Sequence, residues 1–112
     1  MTDLRRGAVV WFNADPVRGR EQGGHRPGLV IASDGYLRTA TTLTIVLPVT
    51  TTDRAWPNHV RLQGDLELEQ ASFAMTEQPR TIDRARVTSV AGHVDAETMH
   101  QIDRWLRVFV GL

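Results

Sequence analysis

The sequence predicts a small, mostly antiparallel β-barrel or tightly curled sheet carrying one C-terminal helix. Short apolar or alternating runs recur through the first 94 residues, separated by Gly, Pro, Asn and Asp. No long amphipathic helical period occurs before residue 95, and from Asp95 onward the apolar period changes to three and four residues. A chain of 112 residues buries roughly two-thirds of its unfolded surface and is too short for two independent cores, so a single domain over 1–112 is expected.

Six runs read as strands: AVVWF (8–12), GLVIA (28–32), LTIVLPV (43–49), HVRL (59–62), ASFAM (71–75) and VTSVAGHV (87–94). The second follows Pro27, which disfavours helix at Arg26 and sends the chain out extended. The third contains Pro48, which has no amide donor, so that strand is expected at an edge or broken there. The helix begins with Asp95 as N-cap and Glu97 in the first turn, where the dipole favours an acid. Met99, Ile102, Leu106, Phe109 and Val110 form its apolar stripe, Asp103 and Arg107 are spaced for a favourable i,i+4 pair on the other face, and Gly111 can end it. Two long connections remain, 13–26 and 50–59, and function usually resides in such loops.

Composition excludes several chemistries. Without cysteine there is no disulfide, thiolate metal site or Cys nucleophile. All 13 basic residues are Arg, which removes Schiff-base chemistry and the P-loop lysine but keeps the side chain that clamps phosphate with a planar fork. His25, His59, His93 and His100 never fall at i,i+3 or i,i+4, so no helical zinc pair exists. The three serines lack a G-x-S-x-G context. Thirteen acids balance the thirteen Arg, so any nucleic-acid contact must come from a local groove and not from bulk charge. No apolar run approaches the ~20 residues that span a bilayer, and a soluble, cytoplasmic protein is expected. A nucleophile borne by the substrate, such as the 2'-hydroxyl of RNA, is consistent with this inventory without being established by it.

Three stretches can carry chemistry. GREQGGHRP (19–27) crowds Arg20, Glu21, Gln22 and Arg26 around glycines that permit close backbone approach. Arg26 sits where a flexible loop meets a rigid strand, a good place to hold a charge still; on composition alone the loop also reads as a solvated hairpin. Thr50 closes LPVT, where its hydroxyl can bond a phosphate or simply be good strand chemistry. TEQPRTID (76–83) brings Glu77, Gln78 and Arg80 together, either to orient a substrate and bind phosphate or as a structural ion pair. Trp56, in the 50–59 loop, can stack an unpaired base, anchor a partner segment or pack against its own loop; Trp11 and Trp105 read as core or dimer-contact residues.

Taken in order, RRGAVVWFNADPVRGREQGGHRPGLVIAS, IVLPVT, TEQPRTID and a terminal helix ending VGL resemble the MazF/PemK (Kid) family of toxin endoribonucleases, over nearly the whole chain from Arg6 to Leu112. The resemblance implies an SH3-like barrel of the MazF/CcdB kind, a homodimer that cuts single-stranded RNA at short motifs without metal or other cofactor. It also implies 2',3'-cyclic phosphate and 5'-hydroxyl ends and inhibition by a cognate MazE-like antitoxin. By resemblance the catalytic pair falls on Arg26 and Thr50, with Glu21 as a third candidate, and Gln22, Arg20, Trp56, Glu77, Gln78 and Arg80 contact the RNA. A group must deprotonate the 2'-hydroxyl, a cation must face the phosphorane and a proton must reach the leaving 5'-oxygen. Arg26 suits the cation, Thr50 a fixing contact on the scissile phosphate, and Glu21 or Glu77 the base or an orienting role.

The chain departs from the family at several points. Met75 and Arg20 stand where other members have a basic residue and a histidine, so the alternative catalytic set of that branch is not carried over. Ala8 replaces an acid, and Gly28 replaces a bulkier aliphatic, which is expected to loosen packing beneath Arg26. The rival reading is a CcdB-like gyrase poison without nuclease activity; such toxins end in Trp-Gly-Ile, whereas this chain ends Phe109-Val110-Gly111-Leu112 and keeps the Arg26 and Thr50 positions.

Overall fold

A computed structural model of the chain describes residues 4–14 and 24–112. Among these, strands β1 (Ala8–Asn13), β2 (His25–Val30) and β3 (Leu43–Thr50) form the centre of an antiparallel sheet. β8 (Val87–Val94) pairs with β1 on its other side, and β5 (Gly64–Leu66) with β8. β3 pairs with both β6 (Phe73–Met75) and β7 (Arg80–Asp83), and β6 with β4 (His59–Arg61). Helix α1 (Asp34–Thr39) follows β2, and helix α2 (Ala96–Val110) ends the fold. This is the mainly β, curled antiparallel sheet with a C-terminal helix that the apolar runs predict.

The curl has identifiable causes. The β1–β8 register slips between Val9 and Val10 and again between Trp11 and Phe12, and each bulge bends the strand and increases its twist. At Gly92, φ is +129°, and a Cβ there would lie 2.0 Å from the Asp65 carbonyl oxygen, so only glycine lets β5 approach β8. The segment 59–66, read from sequence as a single strand at 59–62, therefore splits: β4 joins one edge of the sheet and β5 the other.

Both faces of the central strands are covered. Ala8, Val10, Phe12, Val30, Val46 and Ile82 form one cluster, capped by Leu37 of α1. Val9, Leu29, Leu47, Val49, Val60 and Ala74 form another, against Ile102, Met99, Trp105 and Leu106 of α2. Side chains alternate between faces, so one sheet feeds two clusters and the single core expected from chain length is in fact divided by the sheet.

Several expectations are corrected in detail. Pro48 does not put β3 at an edge; β3 runs continuously through the centre. The Ile31 amide bonds the Ile45 carbonyl at 2.9 Å, and alternation along the ladder directs the position-48 amide away from β2. That is the interval between the end of the β7 pairing at Val46 and the start of the β6 pairing at Val49. The missing donor thus costs no ladder bond. Gly28 does not loosen packing: it is buried, and a Cβ there would lie 2.8 Å from Phe12 Cε1, so the phenyl ring occupies that space. β7, within the TEQPRTID stretch, and the six-residue α1 are additional elements; α1 is capped by Ser33, whose hydroxyl accepts from the Tyr36 amide at 3.0 Å.

Helix α2 starts and stops as its caps predict. The Asp95 carboxylate accepts from the Thr98 amide at 2.9 Å and from the Thr98 hydroxyl at 2.6 Å, and Gly111 adopts the left-handed conformation. Asp103, however, pairs with Arg6 across the fold at 2.5 Å and not with Arg107. Of the apolar stripe Ile102 is buried and Met99 and Leu106 are half-buried, whereas Phe109 and Val110 are exposed, as are Val108 and Leu112.

Candidate active site

Arg26 and Thr50 lie on the same face of adjoining strand ends. Phe12 is opposite Arg26 in the β1–β2 ladder, and directly opposed residues in an antiparallel pair point to the same side. Gly28 is opposite Pro48 where the β2–β3 ladder ends; Arg26 and Thr50 each lie two residues past that end, and alternation along each strand puts both on the face of Gly28 and Pro48. The face they share is that of Phe12, Val30 and Val46, whose α1-side cluster continues along β1 to Ala14. Arg26 is exposed and Thr50 half-buried. The Thr50 hydroxyl accepts from the Thr52 amide at 3.1 Å, which orients the oxygen and leaves its proton to donate.

The charged loop springs from beside Arg26. Its neck is closed by a hydrogen bond from the Ala14 amide to the Gly24 carbonyl at 3.2 Å, with Gly24 at φ +74°. Two guanidinium groups hold this neck: Arg80 donates to the Ala14 carbonyl at 3.1 Å, and Arg86 to the Asn13 and Ala14 carbonyls at 3.4 Å each. Arg20, Glu21 and Gln22, named from sequence, lie outside the described residues.

Glu77 belongs to a separate cluster. It accepts from Asn58 Nδ2 at 2.9 Å and from Gln78 Nε2 at 3.1 Å, and is paired with His59 Nε2 at 3.1 Å. Burial pushes its carboxyl up, but the hydrogen bond from His59, that from its own amide, that from Gln78 and the charge of His59 outweigh burial and hold it below the ordinary carboxylate range. A carboxylate so held is a weak base and a firm orienting group. His59 is buried, with Nδ1 lacking a hydrogen-bond partner among the described residues. Trp56 covers it, ring centroids 4.7 Å apart, while remaining 50% exposed, and Arg54 lies over the Trp56 ring at 5.7 Å.

Among the described residues the site is an open strip. A pocket of about 430 Å³ between Leu4, Thr42, Arg84 and Val87 contains none of the residues named from sequence. Sequence reading missed the partners that make the site rigid: Arg86 on the loop neck, and Asn58 and His59 on Glu77. No short-range signal announces them, since each acts across the fold.

A model of the PemK-like, MazF-like toxins of type II toxin–antitoxin systems matches residues 5–110. Endoribonuclease EndoA of Bacillus subtilis is 34% identical over 97% of this chain and 96% of its own length. Endoribonuclease toxin MazF of Escherichia coli K12 is 32% identical over 94% of this chain and 92% of its own. Among solved structures, a MazF crystal structure from Deinococcus radiodurans superimposes with a TM-score of 0.79 at 28% identity, covering 97% of both chains. A MazE-MazF crystal structure from the same organism does so with 0.81 at 28% identity, covering 97% of this chain and 96% of the other. With matched family residues spanning the strip, the loop neck and the terminal helix, this chain belongs to the PemK-like, MazF-like toxin family of type II toxin–antitoxin systems.

Proposed function

We propose that this MazF-type endoribonuclease toxin is a single domain that cleaves single-stranded RNA at a short motif, without metal, by transesterification. A base takes the 2'-hydroxyl proton, the 2'-oxygen forms a bond to phosphorus, and the phosphorus–5'-oxygen bond breaks. The products are a 2',3'-cyclic phosphate and, once the leaving oxygen gains a proton, a 5'-hydroxyl. The observation that carries the reading is that a fork-shaped cation, Arg26, and a hydroxyl with a free proton, Thr50, extend past the same end of the β2–β3 ladder on one face.

Arg26 stabilises the charge of the phosphorane and relays a proton to the leaving oxygen; a preorganised donor at such a position is worth about 10²–10³ in rate. Thr50 donates to a non-bridging oxygen of the scissile phosphate and fixes it in line for attack. Glu21 takes the 2'-proton. Arg20 and Gln22 bind substrate from the same loop, Arg80 binds it from the loop neck, Gln78 and Glu77 contact and orient it from their own cluster, and Trp56 stacks a base. The chain works as a cytoplasmic homodimer and is silenced by a cognate MazE-like antitoxin; the D. radiodurans MazE-MazF complex supports that partner class. Among the described residues no helix is long and apolar enough to cross a membrane.

The test is incubation with a long unstructured RNA in EDTA, mapping fragment ends, with Arg26→Ala as control. Recurring 5'-hydroxyl ends that vanish in the control are expected. Undiminished cleavage by Arg26→Ala sinks the assignment, and cleavage abolished by EDTA sinks its metal-free character.

A further inference from the structure

Beyond Thr50 the sheet continues a row of side chains on the same open face. Thr50 is opposite Phe73 in the β3–β6 ladder, and Phe73 is opposite Arg61 in the β6–β4 ladder. Their neighbours Val49, Ala74 and Val60 are buried in the α2-side cluster, which fixes the orientation of all three strands, because a one-residue slip would expose that cluster. Phe73 belongs to neither cluster and is half-buried, an aromatic ring on the outer face. Arg61 is exposed and has no hydrogen bond or ion pair among the described residues. The acid nearest in sequence to β6, Glu77, is already engaged by His59 and Asn58.

From these placements, and resting on the endoribonuclease reading above, we propose that Phe73 and Arg61 form a further RNA subsite. The Phe73 ring stacks the base next to the scissile phosphate, and the Arg61 guanidinium holds the following phosphate. From Thr50 to Arg61 is two strand spacings, about 10 Å, and the flexible Arg61 side chain spans the remainder of a nucleotide step. A partly exposed aromatic ring and an exposed cation on adjacent strands are the two elements by which proteins track single-stranded nucleic acid without reading its bases. Because the chain carries no net charge, affinity for the strand depends on such local pairs.

The test uses single-stranded RNA oligonucleotides centred on a mapped cleavage motif, at full length and trimmed stepwise from each end. Wild type, Arg61→Ala, Phe73→Ala and Phe73→Leu are compared. Arg61→Ala is expected to raise KM about 3- to 10-fold on the full-length oligonucleotide and to lower the salt slope of binding by about one charge. Phe73→Ala is expected to raise KM about 5-fold or more without changing the salt slope. Both effects should vanish on oligonucleotides trimmed past the subsite on one side only. Phe73→Leu keeps apolar bulk without the aromatic face and carries the test if Phe73→Ala does not fold. Wild-type KM in Arg61→Ala and Phe73→Leu on every oligonucleotide overturns the subsite and leaves the endoribonuclease reading standing; absence of cleavage by wild type overturns both. If the variants keep wild-type KM and instead lose affinity for the antitoxin, the row belongs to that partner and the RNA subsite is overturned.

Discussion

Replacing Gly28 by Ala should destabilise this protein, against the ordinary expectation. At a strand position whose backbone any residue can adopt, Gly→Ala stabilises by about 0.4–1 kcal/mol through the unfolded chain. Here the new methyl would lie 2.8 Å from Phe12 Cε1, 3.3 Å from Cδ1 and 3.4 Å from Val46 Cβ. Phe12 is 1% exposed and Val46 fully buried, so neither can swing into solvent. Overpacking of this kind costs about 1–3 kcal/mol, and the balance is a net loss of about 1–2 kcal/mol. In urea at fixed protein concentration, with a slope of about 1–3 kcal/mol per molar, the midpoint should fall by about 0.5–1 M. Shortening the obstacle should reverse the sign: in a Phe12→Leu background, Gly28→Ala should be neutral or stabilising, a coupling of about 1–2 kcal/mol between touching residues. Since Phe12 sits opposite Arg26, Gly28→Ala should also slow RNA cleavage at saturating substrate. A raised midpoint for Gly28→Ala in the wild-type background would refute the claim that the Phe12 ring fills that space.

Other substitutions test the remaining joints. Gly92→Ala combines φ +129° with a 2.0 Å approach to the Asp65 carbonyl and should cost about 3 kcal/mol or more, seen as loss of amide protection in β5 and the facing half of β8. Thr50→Val keeps shape and loses the donor, so the cleavage rate should drop about 100-fold with urea stability nearly unchanged. The Glu77 carboxyl is held low in the fold, so its stabilisation is present above the unfolded value of about 4.3 and is lost as pH falls through the lower folded value; Glu77→Gln should flatten the stability–pH curve over that acid interval, and an unchanged curve would place the acid dependence elsewhere. The Asp95 carboxyl, lowered by its bonds to Thr98, titrates with the same sign, and Asp95→Asn should remove its share while keeping the helix cap.

Much of this was legible because it is local. The alternation and Gly/Pro punctuation that mark AVVWF, LTIVLPV and VTSVAGHV act within a few residues, and β1, β3 and β8 fall where those runs stand. The start and stop of α2 were legible for the same reason, since Asp95 and Gly111 satisfy backbone groups within one turn of themselves. The short strands β5 and β7 were not, because three- and four-residue segments gain their conformation from a neighbour in space. Arg26, Thr50 and TEQPRTID could be singled out by residue type and by family resemblance, yet nothing in their spacing of 24 and 26 residues says they share a face.

By itself the sequence determined the chemistry available: Arg without Lys or Cys, two charged stretches, a Thr at a strand end, and the periodicities that make strands and one helix. Only the tertiary structure decided which of those groups meet. The β2–β3 ladder leaves Arg26 and Thr50 past its same end, the cross-fold reach of Arg80 and Arg86 secures the loop neck, His59 and Gln78 hold the Glu77 carboxyl below its ordinary range, and the pairing of β6 with both β3 and β4 sets Phe73 between Thr50 and Arg61. Residue type and period are properties of neighbours along the chain, whereas register is set by which faces must be buried together, and that is a property of the whole sheet.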